Sequence, residues 1–242
     1  MKKFFLAIVL MAAPALALAA GEEGVKLDPV KIDLGDKASL QRGARIFVNY
    51  CLSCHSASYM RYNRMGQDLG ISDELVKENL LFAANKTGDL MKAVMPVDDA
   101  KAWFGVAPPD LSDEARYRGP EWIYTYMRSF YRDEKSHSGW NNLVFPHVAM
   151  PHVLYEWQGE QRAVFKNEGG IQEFVRFDLD KPGTMSPADY DKAMRDLVNF
   201  MVYLAEPAKL VRYQIGVYVL IFLAVLLVFT YLLKKEYWKD VH

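Results

Sequence analysis

Cysteine is scarce in this chain. Its 242 residues hold only Cys51 and Cys54, both inside the pentapeptide Cys51-Leu52-Ser53-Cys54-His55. The want of a second cysteine pair removes the usual cysteine-rich zinc sites and leaves no framework of disulfides. Neither sign of charge is in excess: 29 basic and 30 acidic side chains give a net charge of −1 with histidines neutral. That balance provides no electrostatic footprint for nucleic acid. There is no internal repeat, and no low-complexity tract apart from two apolar runs, one near each end.

Those runs divide the chain. In residues 1–20, Lys2 and Lys3 precede the apolar stretch Phe4 to Met11, and Ala17-Leu18-Ala19 offers a small-residue cleavage site. This pattern reads as a secretory signal peptide cut after Ala19 or Ala20, its apolar core being shorter than the ~20 residues a bilayer crossing needs. Tyr213 to Leu233 runs 21 residues without a charge. At about 1.5 Å per residue it would be roughly 32 Å long, which predicts a single transmembrane helix. Tyr237 and Trp238 would sit at the far interface, with Lys234, Lys235 and Lys239 beyond it. The expected organisation is a signal peptide (1–20), an exported domain (21–212), a membrane helix (213–233) and a cytoplasmic tail (234–242). The orientation follows from export of the N-terminal portion. Setting aside Lys2, Lys3 and the charged residues of the tail leaves 24 basic and 28 acidic side chains, a net charge of −4 on the exported domain. Such a face suits a basic protein partner, and suits plain solubility equally well.

In an exported chain an isolated Cys-x-x-Cys pair suggests a disulfide, a redox pair, half of a zinc site, or covalent haem. His55 decides among them, because Cys-x-x-Cys-His is the attachment signature of c-type haem. Two thiols separated by two residues can reach two vinyl groups, and the adjacent imidazole then lies under the iron. The segment in front agrees. Asp36 is a plausible N-cap, and Leu40, Ala44, Phe47 and Cys51 recur at spacings of four, three and four, which places Cys51 on the apolar face of a helix. Gly43 on that helix would allow another helix to come close.

The iron's sixth position separates an electron carrier from a catalyst or sensor, since an open position permits chemistry at the metal. Met150, in a proline-bracketed apolar stretch, is the favoured ligand; Met95, His147 and His152 remain alternatives on the residues alone. His137, His147 and His152 also keep a peroxidase-like reading open, and a transient haem carrier or sensor is a third.

The three segments Cys51 to Met65, Ala107 to Gly119 and Phe145 to Trp157, followed by one C-terminal anchor, together resemble the cytochrome c1 family of the cytochrome bc1 complex. The resemblance covers the whole mature chain and implies a mainly α c-type haem domain with long loops, one haem c bound to Cys51 and Cys54, and axial ligation by His55 and Met150. It further implies that Pro108, Pro109 and Arg116 lie against the haem edge, the arginine on a propionate. The implied partners are cytochrome b, a Rieske iron–sulfur protein as electron donor and a cytochrome c as acceptor, in a complex that is dimeric. The implied location is the bacterial inner membrane, with the haem domain in the periplasm.

Elsewhere, residues 21–35 show no period and are expected to wrap the surface. Residues 71–95 predict a helix capped by Ser72, with Leu75, Leu80, Ala83 and Ala84 on its apolar face. A second helix is expected around Trp122 and Tyr126. Residues 133–185 are expected to be mostly loop, with one short strand at Val175 to Leu179. A third helix is expected after Ser186, with a stripe of Tyr190, Met194, Leu197, Val198, Met201 and Leu204 or Ala205, crossing the helix that leads into Cys51 and ending before Pro207.

Overall fold

A computed structural model describes residues 25–168 and 171–240. The predicted signal peptide lies outside the described residues. Helices dominate, and the frame is a pair that crosses. Helix α1 (Lys37–Ile46) begins where Asp36 accepts a hydrogen bond from Ser39 N, and its stripe of Leu40, Ala44, Phe47 and Cys51 is buried. Its partner is the 19-residue helix Pro187–Ala205, capped by Ser186, whose hydroxyl accepts from Asp189 N. Tyr190, Met194, Leu197, Val198 and Met201 of the predicted stripe are buried, and of its two candidate ends Leu204 is buried and Ala205 half-buried. Gly43 makes the crossing possible: a Cβ there would lie 2.1 Å from Asp196 O and 2.6 Å from Phe200 Cβ. Ser39 Oγ and Arg42 Nε both donate to the buried Asp196 carboxylate at 2.6 Å, and Phe47 meets Phe200 with ring centroids 5.5 Å apart.

After Cys54 come strand β1 (Ala57–Arg61), helix α2 (Tyr62–Leu69), and the short helix α3 (Asp73–Asn79). Ser72 caps α3 as expected, but the helix stops far short of residue 95, and Leu75 is exposed. Further on, Asp89 Oδ2 accepts from both Asn85 N and Lys86 N, a turn that rules out helix through the later part of the expected span. Strand β2 (Leu90–Met91) then pairs antiparallel with β1. Next follow α4 (Val97–Phe104), α5 (Glu114–Tyr117) and α6 (Pro120–Arg128), the last opening on a proline.

The region expected to be mostly loop holds two sheets. Strands β3 (Phe130–Arg132) and β4 (Trp140–Asn142) pair antiparallel. One turn of helix, α7 (Tyr155–Gln158), leads into a long hairpin of β5 (Gly159–Glu168) and β6 (Ile171–Pro182). The predicted short strand at Val175 to Leu179 is the middle of β6. Phe174 of the hairpin meets both Phe165 and Phe177, and Tyr131 meets Phe165 and Phe177. The hairpin thus rests its aromatic side on β3 rather than standing alone, as a two-stranded sheet seldom can.

Helix α8 is the long Pro187–Ala205 element just described, and α9 (Lys209–Tyr237) follows it after Pro207. The uncharged run Tyr213 to Leu233 lies inside α9, and no residue of α9 is buried against the domain. A 29-residue helix of this composition is long enough to cross a membrane. Residues 25–35 form no regular element. Their backbone is clasped by side chains: Thr125 Oγ1 accepts from Asp28 N, while Asn199 both accepts from Asp33 N and donates to Asp33 O.

Candidate functional site

Helix α1 does not run evenly into the cysteines. Phe47–Cys51 forms a π-helical turn, a widening often found where a helix presents a functional side chain. The chain then doubles back on the Cys51 carbonyl, which accepts from Cys54 N at 3.1 Å and His55 N at 2.8 Å. This fold-back turns two thiols and an imidazole out of one short loop. Both cysteines are free thiols; Cys51 is buried and Cys54 half-buried. Burial, and to a smaller degree its neighbour Cys54, pushes the unmodified Cys51 thiol up to about 12.

The segment Ala107 to Ser112 is laced onto this loop. Leu111 N donates to Ser56 O, Ser58 N to an Asp110 carboxylate oxygen, and Tyr59 N to Ser112 Oγ. The lacing brings Pro109 O within 2.8 Å of His55 Nδ1. A carbonyl can only accept, so Nδ1 carries the proton and Nε2 of the neutral ring keeps its lone pair. Burial lowers the His55 pKa, against the opposing effect of the Pro109 bond, and favours that neutral form. Pro108 and Pro109 have ring-fixed φ angles, which steadies the accepting carbonyl.

Met150 sits on a different support. It packs against a small cluster of Phe130, Trp140 and Val148, and its sulfur accepts a hydrogen bond from Tyr126 Oη at 3.3 Å. Tyr126 touches both this cluster and the main core that holds Cys51, so α6 joins the two halves of the site. Of the other candidates, Met95 is tied to the Cys51–His55 loop by a bond from its N to Ser53 O. His147 is exposed, has φ 62°, and binds Asn141 through its backbone. His137 is exposed, with Nε2 3.3 Å from Trp103 O. His152 is buried, stacked on Phe130 at 4.9 Å and edge-on to Trp140, with neither ring nitrogen hydrogen-bonded. Burial pushes its pKa down to about 4, so the ring is neutral.

The two arginines of the Ala107 to Gly119 segment part company. Arg116, expected at the haem edge, is exposed, with Nη1 3.4 Å from Glu206 Oε1 at the join between α8 and α9. The same Glu206 oxygen meets Arg212 Nη1 at 2.7 Å. Arg118 is exposed as well, but its guanidinium is 4.6 Å from the Trp122 ring, Trp122 stacks on Tyr126, and Tyr126 reaches Met150. Trp122 and Tyr126 share one face of α6 at a four-residue spacing, whereas Arg118 precedes the break at Gly119 (φ 89°) and reaches Trp122 from outside that helix.

Two unpaired thiols, an imidazole with a bare Nε2 and a thioether make a donor set that fits a covalent c-type haem. Among the described residues no cluster of three or more His, Cys, Asp or Glu could hold a separate metal ion.

The model of the Cytochrome C1 family matches residues 31–162 and 179–241. The unmatched stretch between them falls in the outer part of the β5–β6 hairpin. Cytochrome c1 of Allochromatium vinosum is 51% identical over 245 aligned positions that cover the whole of both chains. A Nitrosomonas europaea protein named ammonia monooxygenase gamma subunit is 51% identical over 98% of each chain. Cytochrome c1 of Rhodospirillum rubrum is 28% identical over 85% of this chain and 83% of its own.

Proposed function

This chain belongs to the cytochrome c1 family, and on that premise we propose that Cys51 and Cys54 hold its haem c by thioether links and that His55 and Met150 are the axial ligands. The family's role is plain: it is the haem subunit of the bc1 complex, it works beside cytochrome b, and it transfers electrons through one covalently bound haem. The haem supplies a ferric/ferrous couple; the chain supplies its mounting. Pro109 fixes the His55 tautomer through Nδ1, leaving Nε2 to donate. Tyr126 and the Phe130 cluster hold the Met150 thioether, and thioether ligation raises the potential relative to a second imidazole. Helix α9 anchors the domain to a membrane. The observation that carries the ligand reading is the Pro109 to His55 bond beside a pair of free thiols.

The haem domain faces the periplasm in this reading, takes electrons from a Rieske iron–sulfur protein and passes them to a cytochrome c, within a dimeric complex. Of the two arginines, Arg118 rather than Arg116 flanks the ligand side, since only its ring contacts lead to Met150. The Nitrosomonas relative's printed name raises a second reading, an oxygenase subunit, which would need an open coordination position. Carbon monoxide decides between them. Reduced wild-type holoprotein should leave carbon monoxide unbound while Met150→Leu takes it up; rapid uptake by the wild type would refute a closed site.

A further inference from the structure

Tyr126 is half-buried in a ring stack that leaves its hydroxyl one direction. Trp122, four residues earlier on α6, stacks on it at 5.0 Å and 11°, and Phe130 meets it edge-on at 4.9 Å and 71°. Trp122 lies under the Arg118 guanidinium, and Glu114 Oε1 holds Arg118 Nε at 3.1 Å. The stack is therefore fixed at both ends, and the hydroxyl it positions donates to Met150 Sδ at 3.3 Å. A thioether has two lone pairs. Where one is directed at iron, a hydrogen bond to the other draws density from the sulfur and weakens its donation, which disfavours the ferric state more than the ferrous.

The geometry points to Tyr126 as the positioning residue of the sixth ligand, one that aims the Met150 thioether and biases the iron toward its reduced form. This rests on Met150 being that ligand. A tyrosine of the same helix face with its hydroxyl on a carbonyl would pack equally well but would leave the sulfur untouched. Helix α8 offers the contrast, because its Tyr190 Oη donates to Met127 O at 2.8 Å and so braces α6 without meeting Met150.

The test uses full-length haem-loaded protein in detergent as wild type, Tyr126→Phe, Tyr190→Phe and Met150→Leu. Midpoint potentials are measured beside the near-infrared methionine-to-ferric charge-transfer band. Tyr126→Phe keeps the ring and its stack and removes only the donor. It should retain the band at a shifted wavelength and favour oxidation by about threefold to tenfold, the net worth of one hydrogen bond, or roughly 30 to 60 mV lower at 59 mV per tenfold. Tyr190→Phe should leave band and potential at wild-type values. A Tyr126→Phe protein with wild-type band and potential overturns the inference, as does an equal shift in Tyr190→Phe. Absence of the band from wild type, or its survival in Met150→Leu, refutes the ligand assignment instead, so the two failures are distinguishable.

Discussion

Gly43→Ala should destabilise the domain, although on a helix considered alone it should do the opposite. Alanine is favoured over glycine in a helix interior by ~1 kcal/mol. Against that, the new Cβ would lie 2.1 Å from Asp196 O and 2.8 Å from Asp196 C, short of ordinary contact by about 1.3 Å. Both atoms are backbone of α8, so no side-chain rotation relieves the overlap. The two helices would have to part, loosening the Phe47–Phe200 contact and the bonds from Ser39 and Arg42 to Asp196. Overpacking of this kind costs ~1–3 kcal/mol. With a backbone obstacle the upper end applies, and the net loss is about 2 kcal/mol, or roughly 4–8 °C in Tm for a domain of this size. Thermal denaturation of the haem-loaded protein in detergent measures it, with Gly88→Ala, where nothing lies within 4 Å, as the control. An unchanged or raised Tm in Gly43→Ala would refute the close crossing of α1 and α8.

Further outcomes follow from other contacts. Asp196→Ala strips the shared acceptor from Ser39 and Arg42; since Arg42 is half exposed and can turn to water, denaturant unfolding should show a loss of about 1–3 kcal/mol. Ser186→Ala removes the cap of α8 and should cost ~1 kcal/mol in the same assay. Partial burial pushes the Asp110 carboxyl up, but hydrogen bonds from Ser112 and Ser58 outweigh it and hold the group below the usual carboxylate range. Its contribution is thus complete above pH ~4 and disappears as pH falls through the lower folded value. Wild type should lose stability over that acid window more steeply than Asp110→Asn, by no more than about 1 kcal/mol because the group is largely exposed. Arg118→Gln should displace the near-infrared band and Arg116→Gln should not, since only Arg118 is coupled through Trp122 and Tyr126 to Met150.

The frame of the fold was legible where local chemistry and burial agree. Asp36, Ser72 and Ser186 cap their helices, the stripes of α1 and α8 are core, and Gly43 marks their crossing. The expected helix over 71–95 failed because Leu75, Leu80, Ala83 and Ala84 satisfy a helical period, while the turn residues Asn85 to Asp89 impose their own hydrogen bonds. The β5–β6 hairpin was mostly hidden because register shifts at Glu160/Gln161 and Val164/Phe165 interrupt the two-residue period, and its apolar residues fall on covered and open positions alike, Phe174 and Phe177 half-buried but Val175 and Leu179 exposed. At the site, the Cys51–His55 pentapeptide stands out by its spacing, whereas the Pro109 carbonyl and the Tyr126 hydroxyl act across 54 and 24 residues of sequence and leave no periodic trace. Arg118 reaches Trp122 from the other side of the Gly119 break, a contact between two elements that no single helical period displays.

The central claim is that Met150 closes the iron opposite His55. Its most direct test is the near-infrared spectrum of the oxidised, membrane-extracted protein, recorded for wild type beside Met150→Leu. The account predicts a weak methionine-to-ferric charge-transfer band in the wild type that is lost in the variant. A wild-type spectrum without the band, or a band unchanged by the substitution, would contradict it.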